Sequence, residues 1–282
     1  MGGAGSRLAA LLLTGGLLAA GLPDGPAAAK GHGALPDAEP APLPVVRLTS
    51  LDWPPFTIDA KQHPGSRPGL DEIIARAAFA AVGYRLETDF YPWQRAMALS
   101  RSDPRYLGYY PRYSPYAGKD CLLSDSLGES PLGLAERADA HLRGQSLDQL
   151  SHTTIGVVAG YLNTPEFDAR VRQGRLKTET VTNDATNLRK LIYHRLTAAV
   201  IDRNVMTYLL DTTPDLAAHR DELVFDPHDF PPKALHVCFR PTEQGAALMS
   251  LFNRGLRRID IAALTAAYFR AGHGAEKSTE TQ

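Results

Sequence analysis

The strongest constraint on the fold is a regular alternation of strand and helix patterns that begins at residue 45. Apolar side chains recur at helical spacing from 70 to 82 and stop at Gly83, which predicts a helix with a glycine end. The first set of predicted elements covers 45–50, 70–82, 84–90, 92–99 and 106–110. Strands that alternate with helices are typical of α/β layers.

A second set of the same kind begins at residue 154. Residues 154–158 are apolar and β-branched, which indicates a buried strand. Asn163, Thr164, Pro165 and Glu166 offer the capping side chain, proline and acid that start a helix. The remaining predicted elements cover 176–181, 184–194, 197–201, 205–210, 234–239 and 243–259.

Composition and motifs exclude several classes of function. The 282 residues carry 30 basic and 31 acidic side chains, so a bulk electrostatic affinity for nucleic acid or an anionic membrane is not expected. The sequence lacks GxGxxG, GxxxxGK[ST], HExxH and GxSxG, and its nine histidines are scattered. We therefore predict no cofactor and no metal site, while a catalytic triad assembled across the chain stays open.

The N-terminus has the pattern of an export signal. Residues 8–22 are small or apolar, Arg7 precedes them, and Ala27 to Ala29 offer a cleavage site. The run is short for a membrane span, so we predict a cleaved signal peptide over 1–29, with a membrane anchor as the alternative. A flexible leader follows over 30–44, and the mature protein is expected to be soluble in an exported compartment.

The two cysteines, Cys121 and Cys238, match no zinc or CxxC spacing. Export to an oxidising compartment would allow them to pair. Because Cys238 lies in the apolar run LHVCF, the pattern favours two buried free thiols, and the disulfide is the alternative.

Six segments carry a resemblance by their order. They are DWPPF (52–56), GLDEIIARAAFAAVGY (69–84), YPWQRAM (91–97), SDSLGESPLGL (124–134), IGVVAGYLNTPEF (155–167) and LTAAVIDRNVMTYLL (196–210). In this order, behind a signal peptide, the sequence resembles bacterial extracellular solute-binding proteins of family 3, the periplasmic components of amino-acid-type ABC importers. The resemblance covers about residues 45 to 270.

The resemblance implies a periplasmic binding protein fold of type II, with two α/β lobes joined by two crossing strands and a ligand cleft between them. Lobe 1 would take 45–137 and 234–270, lobe 2 would take 138–233, and 271–282 would be a disordered tail. Two separately packed halves would then enclose a gap into which Trp53, Arg112, Thr164 and Asp202 point.

The resemblance also implies aromatic contacts from lobe 1. Trp53 or Phe56 would pack on the ligand, with core packing as the alternative. Trp93 and Arg95 would offer a flat face and a guanidinium to an anionic or planar ligand, the alternative being a structural tryptophan. Tyr110 would add an aromatic wall, unless it only alternates into the core of its strand.

Amino-acid binders of this family hold the ligand carboxylate with an arginine, and the matching position here is Ala117. The arginine is therefore missing, which puts a standard α-amino acid in doubt. Arg112 and Arg95 are the candidates to replace it.

On lobe 2, Asn163 and Thr164 lie at a helix start that can attract an anion, although plain capping explains them equally. Asp202 ends a strand, where an acid of the family pairs with the ligand ammonium. The alternative is a surface acid paired with Arg203.

The main functional hypothesis is a monomeric solute-binding protein, not an enzyme, that closes around a small polar solute and delivers it to an ABC permease. The second hypothesis is a periplasmic sensor of the same fold that signals to a membrane receptor. The third is a dehydratase-like enzyme, for which Glu129 and Asp202 are the acid–base candidates.

Overall fold

The computed structural model describes residues 42–114, 121–142, 145–228 and 230–274. The predicted signal peptide, most of the leader and Ala117 lie outside these residues. The elements in chain order are β1 (Val45–Ser50), α1 (Leu70–Ala80), β2 (Arg85–Phe90), α2 (Trp93–Ser102), β3 (Gly108–Tyr113), β4 (Leu122–Leu123), β5 (Gly128–Ser130), β6 (Leu132–Arg137), β7 (Thr154–Val158), α3 (Pro165–Arg172), β8 (Lys177–Val181), α4 (Asp184–Ile192), β9 (Ala198–Asp202), α5 (Arg203–Thr212), α6 (Pro214–Ala217), β10 (Leu223–Asp226), β11 (Lys233–Phe239), α7 (Glu243–Leu256) and α8 (Ile261–Gly274).

The strands form two sheets. The first has the order β2-β1-β3-β11-β4, and β5 also pairs with β11. In it β1 is parallel to β2 and β3, whereas β11 is antiparallel to its neighbours. The second sheet has the order β10-β6-β9-β7-β8, with β7 parallel to β8 and β9. We call the first sheet with α1, α2, α7 and α8 the first half, and the second sheet with α3 to α6 the second half.

The chain crosses between the halves twice. It leaves the first sheet after β5, passes Pro131 and enters the second sheet at β6. It returns between β10 and β11. Because β6 already belongs to the second sheet, the predicted end of lobe 1 at residue 137 is too late, and we propose residue 131 as the boundary.

Local signals explain why the predicted helices form where they do. Thr164 accepts a hydrogen bond from the backbone N–H of Phe167 and so caps α3, as its sequence predicts. Gly69 precedes α1 at a point with no room for a side chain, because a Cβ there would lie 2.3 Å from the carbonyl oxygen of Phe56. This contact holds the start of α1 against the loop that follows β1.

The sequence analysis did not predict some of the elements. Strands β4, β5, β6 and β10 carry no isolated strand pattern, and α8 was not predicted at all. The predicted disordered tail from 271 is wrong at its start, because α8 continues to Gly274. Residues 275–282 lie outside the described part of the chain.

The core corrects the expectation of two separately packed halves. The larger apolar cluster takes buried residues from both halves, for example Leu48 and Ile74 from the first and Leu188 and Ile201 from the second. A smaller cluster around Phe167 belongs to the second half alone. The two sheets are therefore separate, but apolar contacts between the halves are continuous.

The prediction of two free thiols is wrong, because Cys121 and Cys238 form a disulfide. In the antiparallel pair of β11 and β4, Cys238 lies opposite Leu123, and Cys121 stands just before that strand. The two Cα atoms are 5.5 Å apart although 117 positions separate them in sequence. Sheet pairing thus brings together two residues whose sequence positions give no sign of it.

Candidate functional site

A pocket lies between the two halves, with about 360 Å³ of empty space, part of it open to solvent. The first half lines it with Leu51, Trp53, Trp93, Pro111, Arg112, Tyr113 and Leu235, and the second half with Gly160, Tyr161 and Leu162. Most of these residues stand at or just after the carboxyl ends of β1, β3 and β7. Ligand sites of open α/β sheets form at this edge of the strands.

Four rings, Trp53, Trp93, Tyr113 and Tyr161, form what we call the aromatic wall of the pocket. Trp53 meets Tyr113 and Tyr161 edge to face, with ring centroids 6.1 and 6.2 Å apart. Trp93 meets Tyr161 in the same manner at 6.4 Å. The wall therefore takes rings from both halves, and its shape depends on how the halves approach each other.

Two hydrogen bonds link the halves directly at this wall. The indole nitrogen of Trp53 donates to Oδ2 of Asp184 at 3.2 Å, and that of Trp93 donates to the carbonyl oxygen of Gly160 at 3.1 Å. Gly160 has a left-handed backbone (φ +79°), and a Cβ there would lie 3.3 Å from Trp93. Glycine at this position lets the indole approach the main chain.

Asp184 is the acid of the second half that touches the aromatic wall. It is 5 % exposed and accepts hydrogen bonds from Trp53 and, at 3.4 Å, from the hydroxyl of Tyr161. Burial raises the pKa of Asp184 to about 7, and the nearby Asp202 carboxylate adds to the rise.

Asp202 is also buried, at 2 % exposed. One of its oxygens caps α5 by accepting from the N–H groups of Asn204 and Val205. The other accepts from the hydroxyl of Ser130, which in turn contacts the hydroxyl of Tyr113 at 2.7 Å. Burial raises the pKa of Asp202 to about 6. The alternative of a surface acid is therefore wrong.

Asp71, in the first turn of α1, is a third buried acid of this region. One of its carboxyl oxygens has no hydrogen-bond partner among the described residues. Burial, and then the charge of Asp202, raise the pKa of Asp71 well above its usual value. These acids do not form a metal centre, because the described residues hold no group of three or more His, Cys, Asp or Glu side chains that suits a metal ion.

Arg112 lies on β3 and lines the pocket. It is half-buried, and its guanidinium has the thioether of Met97 as a weak partner at 4.0 Å. No carboxylate in the described part of the chain forms an ion pair with it. Arg112 can therefore offer its N–H groups to an anionic group in the pocket.

Three predicted site residues of the first half do not line the pocket. Phe56 stacks behind Trp53 at 4.7 Å between ring centroids and is core, the alternative stated above. Tyr110 is fully buried, and its hydroxyl contacts Thr88 of β2, two strands away in the sheet. Arg95 is exposed, with its guanidinium 5.3 Å from the ring centroid of Tyr91.

Asn163 and Thr164 also stand outside the pocket lining. The oxygen of Thr164 is used by the cap of α3, and the amide of Asn163 donates to Asp168. The carbonyl oxygen of Asn163 accepts from the buried Nζ of Lys233 at 2.8 Å. Plain capping explains this turn.

The sequence analysis missed Tyr113, Tyr161 and Asp184. Tyr161 stands next to the quoted turn before α3, and Tyr113 follows Arg112, so both lie beside residues that the resemblance singled out. Asp184 looks like an ordinary acid in the first turn of a helix, and no sequence signal marks its contact with Trp53.

Comparisons with known proteins agree with this architecture. No protein-family model matches the chain, and no curated protein matches it in sequence. Among solved structures, a histidine kinase sensor domain with similarity to periplasmic binding proteins superposes with a TM-score of 0.68 at 17 % identity, over 80 % of this chain and 96 % of that one. The chain has the fold of a type II periplasmic binding protein.

Other structures of this binding-protein fold match comparably. The substrate-binding protein of an amino acid ABC transporter has a TM-score of 0.63 at 17 % identity, over 80 % of this chain and 99 % of that one. The ancestral amino acid-binding protein AncCDT-1, a precursor of cyclohexadienyl dehydratase, has a TM-score of 0.62 at 19 % identity, over 80 % and 94 %. None of the helices within the described residues is both long and apolar enough to cross a bilayer.

Proposed function

We propose that this protein is an exported solute-binding protein that closes its two halves around a small polar solute and delivers it to an ABC permease. The observation that carries the proposal is the pocket itself, because residues of both halves line it. A solute that touches both walls binds the closed arrangement more tightly than the open one and shifts the population toward it.

The contacts of the cleft support a role for four residues. Trp53 and Arg112 line the pocket, and Trp93 completes the aromatic wall. Asp202 does not line the pocket itself. Its carboxylate accepts a hydrogen bond from Ser130, and Ser130 contacts the hydroxyl of Tyr113, which does line the pocket. In this proposal Arg112 replaces the arginine that the family carries at the position of Ala117, and Arg95 does not.

A sensor domain is the second candidate, because one of the matched structures is the sensor domain of a histidine kinase. Closure around a solute would then be read by a membrane receptor and not by a permease. Uptake of the labelled solute in a strain that lacks the protein distinguishes the transport role from the sensor role. Uptake should fall if the protein is a transport component and should stay unchanged if it is a sensor.

We propose binding in preference to catalysis. The matched dehydratase precursor is itself described as an amino acid-binding protein. Glu129, one of the two acid–base candidates, is exposed and does not line the pocket. Turnover of a bound solute would contradict this proposal, and stoichiometric binding without product would support it.

The proposal is tested by a thermal-shift screen of amino acids, small carboxylates, amines and short peptides. A solute at 100 times its dissociation constant stabilises the folded state by about 2.7 kcal/mol. Trp53 and Trp93 also report on the pocket by fluorescence. The proposal fails if no solute class raises the unfolding temperature.

The variant Arg112→Ala tests whether the solute binds in the cleft. A solute with a carboxylate should bind this variant more weakly by about 2–5 kcal/mol if the charge pair is buried. Arg95→Ala is the matched control, because Arg95 is an exposed arginine of the same half outside the pocket. Equal losses in both variants would contradict the assignment of the pocket.

A further inference from the structure

The aromatic wall is unlike an ordinary apolar surface, because buried carboxylates hold its polar atoms. Asp184 accepts hydrogen bonds from both Trp53 and Tyr161, one ring from each half. Above pH 7 most Asp184 side chains are ionised, and the hydrogen-bonded anion then places negative charge directly behind the rings. This charge favours a cation against the parts of these rings that line the pocket.

The ring of Tyr113 is also connected to a buried carboxylate, but through the side chain of Ser130. Ser130 has a single proton, and it donates that proton to Asp202. The hydroxyl of Tyr113, 2.7 Å from the oxygen of Ser130, must therefore be the donor in that contact. Tyr113 is thus linked through Ser130 to a second buried carboxylate.

The wall has few groups that could accept hydrogen bonds from a ligand. The N–H groups of Trp53 and Trp93 are donors and are already bonded to protein acceptors. The phenol oxygens of Tyr113 and Tyr161 are the remaining side-chain acceptors of the wall. A primary ammonium carries three N–H groups to satisfy, whereas a quaternary, fully N-methylated ammonium has none and binds through ring faces.

We infer that the solute of this cleft carries a quaternary, fully N-methylated ammonium, which packs on Trp53, Tyr113 and Tyr161, and a carboxylate, which pairs with Arg112. The inference rests on the proposed function and names the class of its ligand. The charges are complementary: buried acids stand behind the rings, and the guanidinium lines the same pocket.

Lys233 sets a limit on which rings bind the cation. Its Nζ lies 5.6 Å from the ring centroid of Tyr113 and donates to the carbonyl oxygen of Asn163. Because a protein cation already lies near Tyr113, Trp53 and Tyr161 should contribute more to the affinity. A substitution at Trp53 is therefore the more sensitive test.

The decisive experiment compares trimethylglycine with 3,3-dimethylbutanoate by calorimetry on the purified protein. The two molecules have the same shape and the same carboxylate, but only trimethylglycine carries the positive charge. We expect trimethylglycine to bind at least about tenfold more tightly, the range of a desolvated cation–π contact. Equal affinity, or tighter binding of 3,3-dimethylbutanoate, overturns the inference.

Asp184→Asn tests the carboxylate behind the rings. The amide oxygen still accepts from Trp53, so the variant removes the charge and keeps the geometry. At about pH 8.5, where Asp184 is ionised, we expect trimethylglycine to bind several-fold more weakly, while 3,3-dimethylbutanoate binds as before. Asp215→Asn is the control, because it removes one charge from the surface of the same half. A loss for trimethylglycine that Asp215→Asn reproduces, or no loss at all in Asp184→Asn, overturns the inference.

The outcomes separate this inference from the proposed function. If an amino acid with a free primary ammonium binds stoichiometrically and trimethylglycine does not, the ligand class is wrong and the solute-binding function stands. If the solute screen and both probes show no binding, the proposed function fails and the inference fails with it.

Discussion

At the scale of single residues, burial decides the chemistry of the cleft. Asp184 and Asp202 are common surface residues by type, yet both are almost fully buried beside aromatic rings. Their neighbours satisfy them with hydrogen bonds and not with cations from the described residues. Burial raises the pKa of both carboxyl groups toward neutral pH, which links the charge of the cleft to pH.

Asp184 should make the protein less stable as the pH rises. Its pKa is about 7 in the folded state and about 4 in the unfolded chain, so the folded state binds the extra proton between these values. Its contribution is fully present below about pH 4 and is lost as the pH rises through about 7, by up to about 4 kcal/mol. Urea unfolding across this range measures the loss.

Asp184→Asn should flatten that pH dependence, because the amide does not titrate. Asp215→Asn should leave it unchanged, since the Arg189 ion pair lowers the pKa of Asp215 and it stays charged over most of this range. The explanation is wrong if the free energy of unfolding of Asp184→Asn falls with pH as steeply as that of the natural protein.

At the scale of elements, helix starts were the most predictable part of the chain. Proline and a capping oxygen at the start of α3 act within a few residues, so the sequence contains the whole cause. Strands β5, β6 and β10 are different. They form because they pair with distant partners, and a short window of sequence does not contain those partners.

A substitution at Thr164 tests whether this residue caps α3 or binds the ligand. Thr164→Ala should lower the free energy of unfolding by about 1 kcal/mol, because the N–H of Phe167 loses its acceptor. The affinity for a cleft solute should stay the same, since Thr164 does not line the pocket. Thr164→Ser, which keeps the hydroxyl, should restore the stability. A marked loss of affinity in Thr164→Ala would return Thr164 to the binding site.

At the scale of the whole molecule, the disulfide between Cys121 and Cys238 cross-links two segments that are far apart in sequence. Cys121→Ser with Cys238→Ser should lower the stability by about 2–4 kcal/mol, because the bond closes a loop across 117 positions. Thermal unfolding of the natural protein with and without reductant should show the same loss. An unchanged unfolding temperature on complete reduction would contradict this expectation.

The two hydrogen bonds that link the halves at the aromatic wall should favour the closed arrangement. The double variant Trp93→Phe with Asp184→Ala removes both bonds and keeps a ring at position 93. Small-angle scattering should then give a larger radius of gyration, because fewer contacts oppose opening. Asp215→Ala, a surface change in the second half, is the control. An identical radius in all three proteins would show that these bonds do not hold the halves together.

The sequence by itself determined the α/β class, the order of most strands and helices, and the caps that begin them, because periodicity and capping act between near neighbours. Only the resemblance to solute-binding proteins suggested Trp53 and Arg112 as residues of the cleft. Only the tertiary structure decided that Cys121 meets Cys238 and that Asp184 meets Trp53. Those contacts depend on how sheets pair and how halves approach, and the physical cause is packing between segments far apart along the chain.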